Sequence, residues 1–476
     1  MMERRMCGHA AGHARVRARC IGWLLVFVLT AAGEEARALS RGQGLDTSYA
    51  DTDTMPAVDD RHPWLAAGEV MGLNLGIWGY NRYLTREGWS VISMETIREN
   101  FRTGFVWDRD GYLMNQFAHP YHGAAYFNAA RSNGLTFWES TVYPLGGSLM
   151  WELAMENEPP SYNDLVNTPI TGITLGEIQY RVAHLLIDES TTGWQRFFRE
   201  LSAFAVDPVL GLNRLARGAA WRSGTSTANP PVAIAISAGG SSVFLDRTVS
   251  RQRGYAFLRF ELEYGHALSA AEHRNPFEHF VINAELSASR DDNIVAILGS
   301  GVLWDTRVRT WSSSTQVMGM YKEIDMIINT IFKLSATSLT GRWQGTTQIS
   351  EDMELHHAAS LSAILMGGTN SEYASADGKD YNLGPGASVR VGARLVLSQA
   401  LGVEVNYKRF WIHTLSGATG EEFVGLLNTG VECRAGEHVA LGVEFLLYER
   451  TGYYRDFPDA ASANAAARVY VRVAIE

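Results

Sequence analysis

The sequence predicts an all-β transmembrane barrel of about 12 antiparallel strands, with an N-terminal helical, polar-cored unit that plugs or caps it. Three observations lead there. From about residue 232 onward, segment after segment alternates apolar and polar residues. Many of these segments reach about 9–12 residues, enough to cross a bilayer when tilted. The chain also opens on arginines followed by an apolar run, as exported proteins do.

Residues 1–38 read as a signal peptide. Arg4, Arg5, Arg15, Arg17 and Arg19 precede "IGWLLVFVLTAA", and Ala36 to Ala38 have the small-x-small form of a cleavage site. The apolar run is too short for an ordinary membrane-spanning helix. Its removal would take Cys7 and Cys20, leaving Cys433 alone and no internal disulfide. The full chain carries a net charge of -10, which excludes a broad basic surface for nucleic acid.

Residues 39–105 form an N-terminal arm, acidic at first, with a possible early strand in "GEVMGLNLGIWGYNRYL" from Gly68. Residues 106–230 lose the two-residue beat. Helix-compatible pieces there are broken by Gly134, Pro144 and Gly146. Thr174 to Ser190 is a cleaner helix, with Ile178, Val182, Leu185 and Leu186 on one side and Glu177–Arg181 as an i,i+4 pair.

Residues 231–476 carry the barrel. Ala256, Leu258, Phe260, Leu262 and Tyr264 oppose Arg259, Glu261 and Glu263. Val389, Val391, Ala393 and Leu395 oppose Arg390, Gly392 and Arg394, while Val469, Val471, Val473 and Ile475 oppose Tyr470, Arg472 and Ala474. An arginine facing lipid near mid-membrane costs roughly 2–4 kcal/mol, so the charged rows are assigned to the lumen. Only the stretch 310–350 is hard to phase. A secreted sandwich or lipocalin-like barrel also alternates. The number and length of the segments and the lack of paired cysteines point instead to the membrane.

Between these regions, Asn115-Gln116, "HPYHG" from His119, "YFNAARSNG", "FWES" and "GGSLMWE" stand close together, followed by "PSYNDL" from Pro160, Gly176-Glu177 and Asn213-Arg214. Over about 105–215 this pattern resembles the uncharacterised bacterial family DUF3943. The resemblance implies an exported Gram-negative protein, often with an outer-membrane barrel, and no established reaction.

The residues themselves admit three chemistries. A hydrolase would use Ser140 or Ser148 as nucleophile and His119 or His122 as base, with Glu139, Glu152 or Asp164 orienting it. "LGGS" does not match the nucleophile-elbow pattern. Two imidazoles with Glu139, Glu152 or Glu177 could ligate zinc, but no HExxH or CxxC spacing supports this, so no metal and no cofactor are assigned. The third reading is structural: Asn115, Gln116, Asn128, Asn133 and Asn163 satisfy backbone breaks, and Arg131, Glu177 and Arg181 join the histidines in a charge-balanced network. His356 and His357 fall on one strand and so point to opposite faces. The expected function is an outer-membrane barrel with a structural or small-ligand or lipid-handling role. The alternatives are a lipid or glycolipid hydrolase and a gated or plugged channel. The expected partners are outer-membrane lipid and a small-molecule or lipid ligand; protein partners are not legible.

Overall fold

The computed structural model describes residues 61–225, 230–245, 252–268, 273, 275–288, 293–308, 313–328, 333–371, 373 and 380–475. The signal peptide and most of the acidic arm lie outside the described residues. Residues 55–178 and 230–474 form one compact unit; 179–229 belong to a second.

The first unit begins with α1 (Pro63–Gly79), where the sequence suggested a strand. Ala66, Val70 and Asn74, four residues apart, are its buried positions, and that is helical spacing. A π-helical turn over Tyr80–Thr85 and an amphipathic α2 (Met94–Thr103) follow. Then come α3 (His119–Arg131), the short α4 (Phe137–Ser140), α5 (Val142–Ala154) and α6 (Tyr162–Leu186). Pro120 sits in the first turn of α3, where its missing N–H costs nothing. Helix α6 starts well before Thr174, because the Ser161 hydroxyl accepts the Asp164 N–H at 3.1 Å.

In the second unit, α7 (Gly193–Val206) and α8 (Pro208–Ala216) are joined at Asp207. The Asp207 carboxylate accepts the N–H groups of Val209 and Leu210, and Arg214 pairs with Glu189 and Glu200.

Twelve antiparallel strands close into the barrel, each paired with its chain neighbours and β1 with β12. They are β1 (Val232–Phe244), β2 (Gln252–Tyr264), β3 (Phe280–Ala288), β4 (Asn293–Val308), β5 (Ser314–Ile328) and β6 (Lys333–Ser350). The remainder are β7 (Met353–Asn370), β8 (Tyr381–Leu397), β9 (Leu401–Thr414), β10 (Gly420–Arg434), β11 (Val439–Tyr454) and β12 (Ala460–Ile475). At "GPGASVRVG" the glycines belong to β8: a Cβ on Gly384 would lie 1.8 Å from the His413 carbonyl oxygen, so the strands there approach closely.

Long-range ion pairs fix which face looks inward. Arg259 of β2 reaches Glu444 of β11 at 2.7 Å, and Lys408 of β9 reaches Asp325 of β5 at 2.6 Å. These strands are three and four places apart around the closed sheet, so the pairs meet through the lumen. The opposite rows on β8–β12 are apolar and bare: Val389, Val391, Val405, Val431, Val443 and Val469 are all exposed. This is the wall of an outer-membrane transmembrane barrel, with hydrocarbon outside and charge inside.

The register then corrects one expectation. Among the described residues of the first unit, the α3–α6 layer packs on the outer wall and not in the lumen. Ile324 and Thr337 pair across β5 and β6, one residue removed from the inward Glu323 and Asp325, and so face out. Thr171 of α6 bonds Thr337 at 2.6 Å, Ile178 of α6 lies over Gly299 of β4, and Phe137 of α4 stacks on Phe277. Tyr381 and Leu383 of β8 also face out, and the apolar cluster that buries them includes Tyr112, with Trp107 and Val166 packed against it. The physical reason is local: Ser335, Thr337 and Lys322 on this wall are polar, and lipid is a poor solvent for them.

Candidate functional site

Two places gather chemistry-bearing side chains: the start of α3, against the outer wall, and the lumen.

At the first, His119 is held by its position at the head of α3. Its Nε2 lies 3.2 Å from Asp110 and 3.8 Å from Asp164. Asp108, His119 and Asp164 each present one ligand-type atom within 4.8 Å of the others. Burial alone would discharge His119, but the Asp164 carboxylate and the hydrogen bond to Asp110 override it and hold the ring up at about 10, protonated at neutral pH. His122 is pushed down to about 3 by burial and by the neighbouring His119 charge. Its ring packs against Tyr126 and Trp151, so the two histidines do not converge on one point.

An amide ladder ties this cluster to the barrel. Asn163 donates to Asn115 at 3.1 Å, and Asn115 donates to Asp108 at 2.9 Å and to the Tyr381 hydroxyl at 2.6 Å. Asn167 donates to the Asn115 carbonyl at 2.5 Å, and Ser335 donates to Gln116 at 2.8 Å.

The other network residues sit elsewhere. At the far end of α3, Arg131 grips the buried Glu177 through two nitrogens, at 2.8 and 3.2 Å. Asn133 donates to Glu69 and to the Ala129 carbonyl, and Asn128 is buried between α3 and α6. Arg181 is buried one turn beyond Glu177 on α6. The thirteen residues of α3 thus separate a histidine–carboxylate group from an arginine–glutamate group.

The serine-hydrolase arrangement is not assembled. Ser140 donates to the Thr136 carbonyl at 2.8 Å and Ser148 to the Asp164 carbonyl at 3.2 Å. Glu139 closes the capping box of α4 and pairs with Arg61. Glu152 accepts the Ser161 N–H at 2.6 Å. Sequence reasoning missed Asp108, Asp110, Asn167 and Tyr381. It also missed Asn74, which accepts from Tyr126 and donates to the Gly147 carbonyl at 3.1 Å. The "WDRDG" run was the available signal for the two aspartates; nothing local marks Tyr381.

The second place is a lumenal cavity of about 510 Å³. Two charge clusters flank it. In one, Arg259 and Arg468 share Glu285 and Glu444; in the other, Arg342, Arg390 and Lys408 surround Glu323 and Asp325. Towards one end the lumen is filled by inward-facing Leu334, Ile364, Phe410, Ile412 and Val424, all at most 2 % exposed. Tyr448 joins that cluster to Val243, Tyr255 and Ala466. Towards the other end Arg472, Glu261, Glu432 and Arg394 form a more open ring of pairs. Among the described residues of the first unit, the cavity and the apolar layer are built from strand side chains.

Residues 104–209 match the family described as "Domain of unknown function (DUF3943)". No curated protein matches the chain. Among solved structures the barrel is similar to "KdgM porin", at 10 % identity and a TM-score of 0.24, covering 50 % of this chain and 98 % of that one. It is also similar to the "outer membrane channel DcaP of Acinetobacter baumannii", at 9 % identity and a TM-score of 0.24, covering 52 % and 98 %. A third is the "CymD monoaromatic hydrocarbon channel", at 9 % and 0.24, covering 52 % and 88 %.

Proposed function

We propose that the chain, exported with its leader removed, is a gated outer-membrane channel for small polar solutes, held here in a closed form. One observation carries the reading: among the described residues of the first unit, what fills the lumen is strand side chains. A folded plug would have to leave or rearrange, whereas rotamer changes at Phe410, Ile412 and the Lys408–Asp325 pair would open this passage. The charged groups that line the cavity behind the apolar layer, among them Arg259, Glu323, Lys408 and Arg468, suit a hydrated solute better than a hydrocarbon. Hydrophobic constrictions of this kind gate by dewetting.

Conductance of the full-length protein in a planar bilayer tests this. Wild type is expected to show rare, brief openings, and Phe410→Ala with Ile364→Ala to show frequent, larger ones. If the double variant passes no current, the cavity is a closed vessel, and the small-ligand-holding role takes the place of the channel.

A further inference from the structure

The helices on the outer wall are built inside out. Along α1 the exposed positions are Pro63, Trp64, Leu65, Ala67, Gly68, Met71, Gly72, Leu75 and Gly76, without one charge. The helix's single ionisable residue, Glu69, is turned to Asn133 at 2.8 Å. On α5 the exposed positions are Val142, Leu145, Gly146 and Leu149, while Ser148 and Glu152 are buried. A soluble helix does the reverse, hiding its apolar stripe and showing its charges. Here polar residues are hidden beside the apolar ones: Asn74, Asn115, Asn163, Glu152, Asp164 and Glu177 are all buried.

We infer that the outer faces of α1 and α5 lie in the hydrocarbon of the same bilayer as the barrel, so that the membrane meets a helical surface on the β4–β8 side. Three features select lipid as the occupant. The helices cover strands whose outward partners elsewhere form the bare apolar wall, so the two surfaces are continuous. Helix α1 has 17 residues, about 25 Å of helix, which equals the roughly 25 Å apolar band of outer-membrane barrels. Its ends carry interface-type residues: Arg61 and Trp64 around its start, and Tyr80, Arg82, Tyr83 and Arg86 after it. Beyond them α2 turns Glu95, Glu99 and Arg102 to the exterior, as a helix at the headgroup level does. No described helix is long and apolar enough to cross a membrane by itself. The rest of the helical layer, itself bonded to the barrel wall, supplies what such a helix lacks, a partner for its buried polar groups.

The test uses the protein lacking residues 1–38, with Cys433→Ser, in liposomes, so that it bears one fluorophore-labelled cysteine at a time. Leu75→Cys, Leu145→Cys and, on the bare wall, Val443→Cys are compared with Arg98→Cys on α2. The inference expects the first three to lose fluorescence to a nitroxide on the lipid acyl chain and to ignore aqueous iodide. Arg98→Cys should do the opposite. Iodide quenching at Leu75→Cys and Leu145→Cys, with Val443→Cys still lipid-exposed, overturns the inference and leaves the barrel standing. Protection of the helical sites from both quenchers, with dimer cross-linking, assigns the face to a second copy and overturns it equally. Photoactivatable lipid cross-linked to unmutated protein should mark peptides from 63–79 and 142–154; marking only of barrel peptides contradicts it.

Discussion

At His119 a single proton decides how the wall cluster holds together. Its raised folded pKa means that the stabilisation is fully present below the unfolded value near 6.5 and is lost as pH rises through about 10. His119→Gln removes the cation facing Asp110 and Asp164. It should cost about 2 kcal/mol at neutral pH, a figure kept modest because Asp110 is half exposed. The penalty should shrink towards pH 10, where the native ring would have lost its proton anyway. Thermal unfolding followed by the helical circular dichroism signal across pH 6–10 reads this; a penalty independent of pH contradicts it. His122 has the opposite sign. Held neutral by burial, it contributes stability above about 6.5 that falls away as pH drops towards about 3.

Among the elements, the α3–α6 crossing sets how closely the helical layer is built. A Cβ on Gly123 would lie 2.0 Å from the Thr168 carbonyl oxygen, and one on Gly172 would lie 2.6 Å from the Gly123 backbone. Gly176, one turn further on, faces Phe127 and Asn128. Small residues spaced in this way let helix backbones touch, as they do between helices in membranes. Gly123→Val should cost about 1–3 kcal/mol or more through overpacking. It should expose the helical layer to limited proteolysis while the barrel keeps its heat-modifiable gel shift. Loss of both together would mean that the two do not form separable layers. The elements also explain what could be read in advance. The alternation on β8–β12 was legible because one face meets lipid and the other the lumen. It blurred over 310–350 because β5 and β6 face helices on the outside, where Lys322, Ser335 and Thr337 are tolerated. Helix α1 was misread because it is apolar nearly all round and its one buried amide, Asn74, leaves no 3.6-residue stripe. Asn115, Gln116 and Asn163 stand out in the sequence, but not which wall they bond, since that depends on strand register.

At the scale of the whole first unit, the side of the barrel wall on which the helices lie decides everything else. Outside, they leave the lumen to the strand side chains, as the proposed gating requires, and present their own apolar faces to the membrane. Inside, they would be a plug, and the cavity would be packing. Disulfide trapping separates the two most directly, in a Cys433→Ser background. Thr171→Cys with Thr337→Cys joins positions whose hydroxyls now lie 2.6 Å apart, whereas Ser338, the next residue of β6, faces the lumen. The outer-wall arrangement predicts rapid cross-linking of Thr171→Cys to Thr337→Cys and none to Ser338→Cys. Cross-linking to Ser338→Cys instead would put α6 in the lumen and contradict it.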